Sequence, residues 1–163
     1  MNQRTWQDEL TSESATALYP LGTQRWNKDG TKRYRYVQYD NGTANITAVA
    51  NIMVIYKSAS LGAGTFIVTP DISDGDGSSG AKAIGAGQLL VAATDQYYLW
   101  IQVEGLSEVA AQDMTAGAVG DELTGVGAND GEFDVVATGY IGAPCGILVV
   151  ATASSQKVFL QCP

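Results

Sequence analysis

The sequence predicts an all-β protein: a compact β-barrel or sandwich of short strands, with an N-terminal arm and little helix. Three observations carry that expectation. Nineteen glycines are spread through 163 residues, most of them between short runs rich in Val, Ile, Thr and Tyr, which is the punctuation of strands joined by tight turns. Asp29-Gly30 sits between two strand-like runs and offers the positive φ angles of a primed hairpin turn. The spacing of the runs leaves no room for long helices, so the layers must be sheets.

Residues 1–20 read as an arm ahead of a β-rich domain over 21–163, built as one unit or as two small β subdomains. Residues 1–18 are polar, lack alternation and carry one aromatic, Trp6. A lone Trp is costly to leave in water, so an arm anchored on a neighbouring subunit by Trp6 stands beside the simpler reading of a frayed tail. Strands are expected at 23–27, 32–39, 52–57, 65–70, 88–92, 97–104, 132–138, 146–152 and 157–161, with a second turn at Asn129-Asp130-Gly131. Leu106, Val109, Ala110 and Met114 share a helical stripe with Ser107 as N-cap, which predicts one short helix there. The stretches LGAGTFIV (61–68) and IGAGQLLV (84–91) repeat one pattern, read as the same glycine turn leading twice into a buried strand. The uncharged runs IMVIY (52–56) and GILVV (146–150) would template aggregation on an open edge, so they belong in the core or under a subunit contact.

Apolar residues make up 45% of the chain, charged residues 16%, and the net charge is −8. Such a chain folds, finishes its surface with uncharged polar groups, and has no overall attraction for phosphate. The N-terminus lacks an apolar core of signal-peptide length, and no run reaches the roughly 20 apolar residues that span a bilayer. The expectation is a soluble protein made in the cytoplasm, with neither membrane nor nucleic acid as partner.

Histidine is absent, which removes the commonest general base and metal ligand. No nucleophile elbow and no phosphate-binding loop occurs, so no catalytic residue and no cofactor is assigned. Cys145 and Cys162 have no partners at metal-ligand spacing; they are buried thiols or one disulfide, within or between subunits. In DISDGDGSSG (71–80), Asp74, Asp76 and Ser78 fall at the first alternate positions of an oxygen-ligand loop. The central glycine and distal glutamate of a calcium loop are missing, and turn geometry explains the composition better, so no metal is assigned.

The stretch RWNKDGTKRYRYVQY (25–39) holds five of the nine basic residues, Arg25, Lys28, Lys32, Arg33 and Arg35. Strand alternation puts Tyr34 and Tyr36 on one face and Arg33 and Arg35 on the other. The tyrosines are expected to cover core and the arginines to point outward. Rings and cations on opposite faces make a poor base-stacking platform. An ordinary solvated strand and a protein interface of Trp6, Arg25, Trp26, Lys28, Arg33 and Arg35 both remain, the latter pairing arginines with acidic partners.

LGTQRWNKDGTKRYRYVQYDNGTA, then QYYLWIQVEG (96–105), AGAVGDEL (116–123), VGANDGEF and the closing YIGAPCGILVVATASSQKVFLQC resemble, in order, the head decoration or cement proteins of tailed bacteriophages. The resemblance implies a non-enzymatic virion protein, commonly a homotrimer, that binds the major capsid protein on the outer capsid surface and stabilises the mature shell. Another virion part, such as a head-fibre base or tail protein, is the alternative. A carbohydrate- or single-strand-binding β module is a further one.

Overall fold

The computed structural model describes residues 9–57, 66–75, 84–109, 117–125, 129–136, 144–152 and 155–163. Within them the chain is all-β. Its strands are β1 (Glu13–Ser14), β2 (Gln24–Trp26), β3 (Arg33–Tyr39), β4 (Met53–Tyr56), β5 (Ile67–Thr69), β6 (Gly85–Leu89), β7 (Tyr98–Val109), β8 (Glu122–Thr124), β9 (Asp134–Val135), β10 (Gly146–Thr152) and β11 (Ser155–Gln161). Among the described residues the one helical piece is the 3₁₀ turn Ile72–Asp74.

Five strands close a barrel in the order β3-β5-β4-β6-β7 and back to β3. The β3–β5 pair is parallel; the other four pairs are antiparallel. Closure leaves no unpaired strand edge around the ring, and a barrel this narrow is filled by its own side chains. Val37, Tyr39, Val54, Tyr56, Val68, Leu99 and Ile101 belong to one buried cluster.

Twelve-residue β7 outruns the barrel, and its second half carries an extension in the order β11-β10-β8-β9. One face of that extension joins the same cluster through Leu123, Leu148, Val158 and Leu160. The two uncharged runs therefore behave differently. IMVIY is buried on both faces because Met53 and Ile55 lie against Gly125, with Met53 also against Gly85. GILVV alternates, with Leu148 buried and Ile147 and Val149 exposed.

The expected helix at 107–114 is corrected for its first residues. Ser107 to Val109 continue β7, pairing with Val158, Lys157 and Gln156 of β11; residues 110–116 lie outside the described ones. The partner strand satisfies the backbone that a helix would satisfy internally, which overrides a helical spacing of apolar residues. Gly105 makes the continuation possible. Its φ is +95°, and a Cβ there would fall 2.2 Å from the Thr31 carbonyl oxygen, so the residue bends the strand where the sequence suggested an end.

The turn at 29–30 is longer than the expected primed turn. Only Gly30 has positive φ, at +69°. Gly30 N–H donates to Asn27 O at 3.1 Å, and Asn27 N–H donates to Lys32 O at 2.9 Å. The Asn27 carboxamide oxygen accepts from the amides of Thr31 and Lys32 at 2.8 and 3.0 Å, holding a four-residue loop that needs one left-handed residue. The second copy of the glycine pattern is likewise not a turn: Gly85, Ala86 and Gly87 are buried inside β6. The first copy lies largely outside the described residues.

The segment read as an arm folds back on its own chain from Glu9 onward. Leu10, Tyr19 and Leu21 pack on a second buried cluster, Tyr34, Tyr36 and Trp100, on the outside of β3 and β7. β1 pairs with the start of β7, and Leu18 N–H donates to the Tyr36 hydroxyl at 3.1 Å. Trp6 lies outside the described residues.

Candidate docking surface

The hairpin β2–β3 carries the expected interface residues, and the structure sorts them by depth. Trp26 is 50% exposed, Lys28 is exposed at the loop, and Arg33 is partly exposed. Arg25 and Arg35 are buried, at 8% and 6%. Arg25 lies against Tyr34 in the β2–β3 register, and its guanidinium sits 4.2 Å from the centre of the Trp100 ring, a cation on the π face of the outer cluster.

Arg35 corrects the expectation that Arg33 and Arg35 both point to solvent. Alternation did separate tyrosines from arginines. The strand, however, is covered on both sides: Tyr34 and Tyr36 face the strap of residues 10–21, and Arg35 shares the barrel-side face with Val37 and Tyr39. Its Nη1 donates to the Tyr56 hydroxyl and to the Pro163 carbonyl. The rings of Tyr56 and Phe66 flank the guanidinium at 5.9 and 5.7 Å. Burial pushes the Tyr56 hydroxyl pKa up, against the opposing pull of Arg35, so the phenol stays protonated.

Arg33 remains nearer the surface, bound to Glu104 at 2.9 Å and 5.7 Å from the Trp26 ring. An exposed pair of this kind contributes about 0–1 kcal/mol. Its value here is positional: it props the half-exposed indole beside the loop that carries Lys28 and Lys32. Neither lysine has an ion pair among the described residues, so the hairpin presents a half-exposed aromatic near the exposed Lys28 and the partly exposed Lys32.

Sequence reasoning missed a second exposed set. Leu106, Phe159, Ile147 and Val149 are 43%, 39%, 37% and 37% exposed on the outer face of the extension. The alternation inside GILVV was the available signal; their grouping needed the pairing register.

The acids of the 71–80 loop that are described serve structure. Asp71 is buried, and its carboxylate accepts from the Ala44 amide at 2.9 Å and from the amide and hydroxyl of Ser73 at 2.9 and 2.6 Å. Asp74 accepts from the Thr43 hydroxyl at 2.8 Å and meets Lys57 at 3.2 Å, and Lys57 also binds Asp40 at 2.9 Å. Asp76 and Ser78 lie outside the described residues. These contacts tie the loop after β5 to the turn after β3.

Burial pushes the Asp71 carboxyl pKa up, but the hydrogen bonds from Ser73 and from the Ala44 and Thr43 amides outweigh it and hold the value below 3.8. A depressed carboxyl contributes stability in full above its unfolded-state pKa, and that contribution is lost as pH falls through the folded value. We expect urea midpoints to fall in that acidic window. Asp71→Asn should lower stability by about 1.5–3 kcal/mol at neutral pH and flatten the acid limb; an unchanged limb would remove Asp71 from the account.

Cys145 and Cys162 are free, buried thiols. The Cys162 thiol donates to the Cys145 carbonyl at 3.3 Å. Contact with Cys162, together with burial, pushes the Cys145 pKa well above the usual thiol value, which suits packing and not nucleophilic attack.

Comparison with protein-family models, curated proteins and solved structures finds no match.

Proposed function

We propose that this chain is a virion structural protein of the head-decoration type, which docks on the major capsid protein at the outside of a tailed-phage shell and stabilises the mature lattice. The observation that carries the reading is the hairpin tip: a half-exposed Trp26 beside open cations, in a chain of net charge −8. Interface anchors are drawn from such aromatics on rigid supports, and cations next to them favour an acidic protein surface. The other aromatics of the same stretch, Tyr34, Tyr36 and Tyr39, are buried. They offer no rings on which bases could stack.

The mechanism is mass action. A protein that binds the expanded lattice and not the immature one stabilises it by about 2.7 kcal/mol per site at a free concentration of 100 Kd. No chemical step is required, in keeping with a chain that has no histidine. Co-sedimentation with expanded and with immature shells tests this. Binding to the expanded form alone is expected; equal binding to both, or to neither, counts against it, and electron microscopy placing the chain on the tail would make it a tail component.

A further inference from the structure

Three residues from three adjacent strands line up across the base of the hairpin. The registers place Trp26 of β2 opposite Arg33 of β3, and Arg33 opposite Glu104 of β7. Residues paired in this way share a face of the sheet. The Arg33 guanidinium meets the Glu104 carboxylate at 2.9 Å, donates from Nη1 to the Gln24 carboxamide oxygen at 3.3 Å and lies 5.7 Å from the centre of the Trp26 ring. A cation so placed is attracted to the π face of the indole. Gln24 and Glu104 thus fix the guanidinium, and the guanidinium backs the ring.

The carboxylate reaches that position through a bulge. From Gln38 back to Tyr34, β3 pairs with β7 residue by residue and ends with Tyr34 opposite Gln102, so the next step would set Arg33 against Val103. Val103 is fully buried in the barrel cluster. Instead β7 advances by two residues, and Glu104 takes the place opposite Arg33. Bulges of this kind re-aim side chains. The pair they form here adds little stability, because its side chains are 25% and 33% exposed and ion pairs open to water are weak. Its larger consequence is a half-exposed indole held from behind.

We infer that Glu104 is a positioning residue for the docking anchor: acting through Arg33, it keeps the Trp26 ring in one orientation before a partner arrives. The inference rests on the docking reading of the hairpin and adds to it a residue on β7, outside the hairpin and far from Trp26 in sequence. An exposed side chain that is free to rotate must be immobilised on binding, at a cost of about two- to tenfold in affinity. A ring already ordered by the guanidinium behind it avoids that cost.

Magnetic resonance on the isotope-labelled full chain reads the ring directly, with the Trp26 indole N–H signal assigned by its loss in Trp26→Ala. In Glu104→Ala the indole should become more mobile by heteronuclear NOE. Affinity for expanded shells in co-sedimentation should fall about two- to tenfold, with melting nearly unchanged. The charge swap Arg33→Glu with Glu104→Arg restores an ion pair but sets a carboxylate against the ring, so both losses should persist. Glu122→Ala, at an exposed acid with no ion pair among the described residues, should match wild type in both readouts. An indole as ordered in Glu104→Ala as in wild type, a loss of order without loss of affinity, or full rescue by the swap overturns this inference alone. Wild-type chain that does not bind shells defeats the docking reading and this inference with it.

Discussion

Replacing Trp100 by Ala is expected to lower the free energy of unfolding by about 3–5 kcal/mol, the range for deleting a fully buried large aromatic. Trp100 has no exposed surface and lies 5.1 Å from the Tyr36 ring and 5.4 Å from the Tyr19 ring, with the Arg25 guanidinium 4.2 Å over its face. Truncation removes the floor on which the strap rests and leaves Arg25 buried without its ring, so two costs add to the lost transfer energy. Urea denaturation at neutral pH measures the total. Proteolysis should cut first within residues 10–21, because Tyr19 loses a ring neighbour and β1 has only two residues in pairing. A loss below about 1 kcal/mol, within the spread of ordinary surface changes, would mean that the outer cluster is not packed as described.

Replacing Trp26 by Ala should do the opposite: leave stability within about 0.5 kcal/mol, as for exposed positions generally, and weaken binding to expanded shells by about 2–4 kcal/mol, roughly 30- to 1,000-fold. The contrast arises from depth. Trp100 buries its whole surface within the monomer, whereas half of Trp26 remains for a partner. Co-sedimentation with expanded shells over a concentration series reads the change. Unchanged affinity would remove the hairpin as the anchor and direct attention to other surfaces.

Much of the fold was legible because its signals are local. Glycine punctuation and β-branched runs located nine of the strands to within a few residues, since turn chemistry and strand propensity act over a handful of positions. The two-residue β1 (Glu-Ser) and three-residue β8 (Glu-Leu-Thr) were not seen: neither lies in a run of β-branched or aromatic residues, and each pairs because a neighbouring edge, β7 or β10, offers hydrogen bonds. The strand continuing past Gly105 was misread for a related reason. Leu106 and Val109 are spaced as a helix would space them, and only the presence of β11 alongside decides the matter.

The candidate surface was half legible. The hairpin, its cations and Trp26 stand out in the letters, yet depth does not. Arg25 and Arg35 look like their neighbours Lys28 and Arg33, and they are buried because Trp100 and the Tyr56–Phe66 pair arrive from distant sequence to receive them.

By itself the sequence determined that this chain is all-β, that five of its nine basic residues gather on one hairpin, and that histidine chemistry is closed to it. Those are properties of composition and short-range pattern. Only the tertiary structure decided which strand faces are inside, because burial depends on what covers a face from elsewhere in the chain. Closing the barrel turned Arg35 inward, folding back the strap hid Tyr34 and Tyr36, and pairing β11 with β7 on one side and β10 on the other brought Leu106, Phe159 and Ile147 into one exposed row.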